Sequence, residues 1–195
     1  MIAIAKKFLF IGLLFPFTVI AQESNQSWLT TETKSMAYND KIATLSSSSI
    51  TSVWNEADSE TVYPLIEFYC ENNSPVIFLS INWKRFVSSF RKTEIGMAID
   101  NNKAEWMSVK MSKGSQITTI DNAQRSKEVI DKLLAATLLK IEIEPYSEPS
   151  IFSEYNLKDF PTELNRLILL CKKYNAILEL TLIRSNLTSH ALLNL

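Results

Sequence analysis

Only two cysteines occur in this chain, Cys70 at the end of "LIEFYC" and Cys171 in "LILLCKK", 101 positions apart. Whether they cross-link decides how the middle of any fold is tied to its end, and that depends on where the chain is delivered. The first 21 residues, "MIAIAKKFLFIGLLFPFTVIA", carry Lys6 and Lys7, then an apolar run from Phe8 to Ile20, then the small residue Ala21 ahead of polar "QESNQS". This is the pattern of an export signal cut before Gln22. Its apolar core is short for a bilayer span, and no cysteine stands at the cut to carry a lipid. Export brings the thiols into an oxidising compartment, where an even number favours pairing, here Cys70 with Cys171. A metal site would need a cluster of Cys, His or carboxylate ligands. A thiol nucleophile would need a base, and His190 is the one histidine. Closing a loop of about 100 residues is worth on the order of 4 to 5 kcal/mol in the chain-entropy model, before strain.

Removing residues 1–21 leaves 174 of the 195, and it takes two of the 20 basic residues, so 18 basic stand against 21 acidic. The net charge near −3 gives no basic excess to track phosphates, which excludes nucleic acid as a default partner. A chain of this size buries a full core as one domain.

Most of the exported part reads as strands. "IATLSSSSITSV" (42–53) mixes β-formers with serines, as a strand with one solvated face does. "ETVYPLIEFYC" and "PVIFLSINW" flank the turn "ENNS" and form a hairpin, with Pro64 near a strand start, where a missing N–H costs least. "KTEIGMAID" alternates Ile95, Met97 and Ile99 against Glu94, Gly96 and Ala98, and "AEWMSVKM" returns after "NNK". "SKGSQITTI" adds a short strand. The period then changes: Val129, Ile130, Leu133 and Leu134 form a helical stripe after Asp121 as N-cap. "TLLKIEIEPY" and "PSIFSEYNL" are strands, the first with Leu139, Ile141 and Ile143 inward and Lys140, Glu142 and Glu144 outward. "FPTELNRLILLCKKY" is a second helix with Leu164, Leu167, Ile168 and Cys171 on one face and Pro161 in its first turn.

Few residues carry chemistry. Carboxylates at Glu67, Glu71, Asp100, Glu142 and Glu144 are the one catalytic candidate, of the paired kind a glycosidase uses. Alternating Glu and Lys is equally the mark of a solvated sheet face. Trp83, Lys84 and Arg85 in "INWKRF", with Arg91 and Lys92 nearby, offer an aromatic-cationic binding patch; the alternative places Trp83 in the core and leaves the cations on the surface. Trp28 reads as a core plug. No G-x-S-x-G elbow and no glycine-rich phosphate loop is present among three glycines.

The order of landmarks, Trp28, "LIEFYC", "VIFLSINW", "AIDNNKAEWM", "LLKIEIEPY", "SIFSEYNL" and "LLCKK", resembles the TagO/VasI family of type VI secretion-associated periplasmic proteins, over roughly Trp28 to Tyr174. The resemblance implies an accessory role in assembling or tuning a secretion machine at the envelope. It carries Cys70 and Cys171 over as the family's two cysteines, and it supplies no active site.

The sequence therefore predicts a signal peptide (1–21) and one exported α+β domain (22–175). That domain is a mostly antiparallel sheet or sandwich with two packed helices, stapled by Cys70 and Cys171. A tail follows (176–195), in which Leu178, Leu180 and Leu182 suit an edge strand. The expected protein is periplasmic or secreted and non-enzymatic, needs no metal or cofactor, keeps no membrane span after signal removal, and contacts envelope or secretion-apparatus proteins. The alternative is a protein that binds or cleaves cell-wall glycan, with peptidoglycan as its partner.

Overall fold

The computed structural model describes residues 28–33, 41–71, 74–112, 114–145 and 147–173. The signal peptide, the tail strand over Leu178 to Leu182, and His190 lie outside the described residues.

Among the described residues eleven strands and two helices follow one another: β1 (Leu29–Glu32), β2 (Lys41–Ser48), β3 (Val53–Asn55), β4 (Glu60–Val62), β5 (Leu65–Glu71), β6 (Ser74–Asn82), β7 (Lys92–Ile99), β8 (Glu105–Ser112), β9 (Ile117–Ile120), α1 (Ala123–Leu133), β10 (Leu138–Ile143), β11 (Ile151–Asn156) and α2 (160–173). Nine strands form one sheet in the order β1-β2-β5-β6-β9-β8-β7-β10-β11, every pair antiparallel, and β3 and β4 make a separate hairpin. The fold is α+β. Among the described residues no helix is long and apolar enough to cross a membrane.

Period-two alternation places the core. Ile66, Phe68 and Cys70 of β5, Leu79 and Ile81 of β6, Ile95 and Met97 of β7, and Leu139, Ile141 and Ile143 of β10 are all buried on one face. Both helices pack on that face: Val129, Ile130 and Leu133 of α1 and Leu164, Leu167 and Cys171 of α2 join the same cluster. Trp28, Phe68 and Phe160 stack as a triangle with centroids 4.9 to 5.9 Å apart, each pair worth roughly 0.5–1.5 kcal/mol beyond its buried area. Beside them Cys70 and Cys171 form the disulfide, with Cα atoms 6.1 Å apart, fastening α2 to the strand β5.

The sheet curls until its two ends meet. The Ile50 N–H, just past β2, donates to Glu154 O of the edge strand β11 at 2.8 Å. The Glu154 N–H is received by the hydroxyls of Ser49 and Thr51 at 3.0 and 3.1 Å. The Trp28 indole N–H donates to Asn156 O at 2.7 Å. Backbone groups that an open sheet would leave to water are thereby paired.

Three local expectations are corrected. The strand expected over 42–53 ends at Ser48, because the Ser49 hydroxyl bonds Thr51 N at 3.1 Å and turns the chain out of the ladder. Pro64, which has no N–H to give a ladder, separates β4 from β5. The cap of α1 is Asn122 instead of Asp121: its Oδ1 accepts from Arg125 N at 2.9 Å, and Leu134 ends up exposed past the last turn.

Candidate docking surface

Trp83 continues the inward series of Leu79 and Ile81. It is fully buried, and its indole N–H donates to Thr118 Oγ1 at 3.1 Å. Lys84 takes a positive φ of 55°, which turns the chain out of β6 and leaves its side chain exposed. Arg85 then turns back in and is buried. The three residues therefore do not share one exposed patch.

Arg85 instead joins three segments. Its Nη1 donates to Trp54 O at 2.7 Å, its Nη2 to Glu148 Oε2 at 2.5 Å, and its Nε to Phe86 O at 3.3 Å. The planar fork of donors suits this use, where a lysine would serve one partner at a time. Asn55 adds a second tie, donating from Nδ2 to Lys84 O at 3.1 Å and to Asp58 at 2.7 Å. The β3–β4 hairpin is thus bolted to the loop 83–91.

Large apolar side chains project around this buried bolt. Ile50, Trp54 and Tyr63 from the hairpin segment, and Phe86 and Phe90 from the loop, are between 45 and 62% exposed. They account for half of the large exposed apolar residues among those described. Val53 and Val62 on the hairpin's other face are buried, so the hairpin commits one face to the core and offers the other. Arg85 ties Trp54 and Phe86 together through their carbonyls, and exposed aromatics on a braced backbone are the kind of side chain that anchors protein–protein contacts. The sequence signal for Phe86 and Phe90 was weak, because an apolar residue in a short loop is as often covered as exposed.

The carboxylates are dispersed. Glu67 pairs with Lys41 at 2.7 Å and accepts from Ser80 at 3.3 Å. Lys41 also lies over the Tyr69 ring, 4.3 Å from its centroid. Burial, reinforced by Glu71 and Glu67, pushes the Tyr69 phenol up to about 12. Asp100 ends β7 with φ 54°, and its Oδ1 accepts from Thr137 N, Thr137 Oγ1 and Leu138 N at 2.9, 2.7 and 2.9 Å. The Thr137 hydroxyl first, then the two amides, hold its carboxyl below the usual range. From β5 to β7 is four inter-strand steps, roughly 19 Å along the sheet, so Asp100 stands apart from Glu67 and Glu71. Glu142 and Glu144 lie one strand further on. Among the described residues no three His, Cys, Asp or Glu side chains converge as a metal site.

A cavity of about 360 Å³ opens between α1 and the β7–β8 hairpin, with Met97, Ile99, Met107 and Val129 as its apolar wall. The Lys132–Glu105 pair, at 2.6 Å, stands on its rim.

No protein-family model, no curated protein and no solved structure matches this chain.

Proposed function

We propose that this is a non-enzymatic periplasmic accessory protein that works by contacting other envelope proteins. The observation that carries the reading is the set of exposed aromatics Trp54, Tyr63, Phe86 and Phe90, of which Trp54 and Phe86 are tied through their carbonyls to the buried Arg85. A surface of this kind offers anchors for a partner and no chemistry of its own. The Cys70–Cys171 disulfide suits an oxidising compartment, and the export signal gives the route. The resemblance to the TagO/VasI family makes a type VI secretion apparatus the partner to look for first.

The experiment is an affinity capture of the tagged protein from cross-linked envelopes of its host, with Trp54→Ala/Phe86→Ala beside the natural chain. Secretion-apparatus subunits recovered with the natural chain and lost with the double variant support the reading. Equal recovery with both chains sinks it. The competing reading, a cell-wall glycan binder or hydrolase, draws on one observation: exposed Trp106 shares a cavity with Glu94 and Glu144. Release of soluble muropeptides from peptidoglycan by the pure protein, abolished by Glu94→Gln or Glu144→Gln, would put the hydrolase in its place.

A further inference from the structure

The outer face of the sheet holds a second surface, on other elements than the aromatic one. Trp106 of β8 is the register partner of Gly96 in β7, Gly96 is the partner of Glu142 in β10, and Glu142 is the partner of Phe152 in β11. These four residues cross the sheet in one row, with an exposed aromatic ring at each end, roughly 14 Å apart. The indole lies on the backbone of Gly96: a Cβ there would stand 3.1 to 3.3 Å from three of its ring atoms. One ring face is therefore covered by the sheet, and the 45% exposure of Trp106 belongs to the other face and the edge.

Three carboxylates lie beside this platform, with Lys92 and Lys110 paired further along the same face. Glu142 stands within the row, and Glu94 and Glu144 line a cavity of about 490 Å³ together with Trp106 and Thr93. Glu154, further along β11, is already neutralised by Lys140 at 2.9 Å. Among the described residues no lysine or arginine pairs with Glu94, Glu142 or Glu144. An open indole face carries a negative quadrupole, which attracts a cation placed over it, and nearby unpaired carboxylates add to the attraction. Neutral sugars would stack on the same ring but would gain no Coulomb attraction from the carboxylates.

We infer that this face binds a basic segment of a partner protein, with an arginine guanidinium stacked on Trp106 and held by Glu94 and Glu144. Arginine fits better than lysine because its planar group covers the ring while its edge donors reach the carboxylates.

The test uses an acetylated hexa-arginine peptide, titrated by calorimetry into the natural protein. Binding is expected at low salt and fades as salt rises from roughly 0.05 to 0.5 M. Trp106→Ala should weaken it about fivefold or more, with Trp106→Phe recovering part of the loss. Glu94→Gln/Glu144→Gln should weaken it further than the charge-matched Glu71→Gln/Asp159→Asn, at the end of β5 and ahead of α2, away from this row. Urea midpoints of the variants establish that each is folded. Absence of binding overturns the inference, and so does equal weakening by both double variants with no effect of Trp106→Ala, which marks a diffuse charge effect. Binding of an N-acetylglucosamine hexamer in place of the peptide, lost in Trp106→Ala, also overturns it in favour of a glycan platform. These outcomes are read apart from envelope capture, which depends on Trp54 and Phe86.

Discussion

Nη1 of Arg85 donates to the carbonyl oxygen of Trp54 at 2.7 Å, so an exposed indole is held in place by a buried cation from a different segment. Replacing the guanidinium strands Glu148 and leaves two carbonyls without a donor. Arg85→Met is expected to cost about 3 kcal/mol in urea unfolding, and Arg85→Lys about 1 to 2, because the ammonium keeps the charge and loses the fork. The lysine variant should also capture less partner than its remaining stability accounts for, since the hairpin it pins carries part of the proposed docking surface. A change under about 0.5 kcal/mol in both would mean that the bolt is ornamental.

Cys70 and Cys171 should be unreactive to alkylation in the folded, unreduced protein, and intact mass should show both thiols labelled only after reductant. Cys70→Ser/Cys171→Ser, which opens the large loop, is expected to lose on the order of 4 kcal/mol of unfolding free energy. Two thiols that label freely without reductant would remove the staple from the fold.

Asp100 links acid to stability with a definite sign. Its carboxyl is held below its ordinary value of 3.8 by Thr137 and Leu138. Its contribution is therefore fully present above that value and is lost as pH falls through the lower folded one. Urea midpoints followed from about pH 7 down to about pH 2 should fall more steeply for the natural chain than for Asp100→Asn. Asparagine keeps the tolerance for positive φ while removing the charge, so a parallel pair of curves would show that the carboxylate is irrelevant.

Strand identities were open to reading because β7 and β10 alternate apolar and polar residues cleanly; that the two strands are neighbours, with Ile95 and Met97 opposite Ile143 and Ile141, was not. Cys70 and Cys171 were also legible, since the stripe on α2 and the strand ending at Cys70 both faced inward. The α1 cap slipped by one residue because Asp121 and Asn122 are equally good caps, and the choice falls to the chain's path out of β9. Trp83 lies in the core, as one of its two readings had it and as the alternation of Leu79 and Ile81 dictates, while the burial of Arg85 follows neither reading, because its partners Trp54 and Glu148 are distant in sequence. The insertion of β9 between β6 and β8, and the meeting of Glu154 with Ile50, rest on contacts between residues far apart in sequence, which no local pattern encodes.

The pairing of the cysteines has a consequence for how the molecule is made. In a chain synthesised from its N-terminus, Cys70 is made 101 residues ahead of Cys171. It has no second thiol of its own to react with in the meantime. A scrambled isomer within one molecule is impossible, and the bond can close only after every described strand of the sheet has been made. A chain cut short before α2 therefore keeps a single sulfur with no partner inside the molecule.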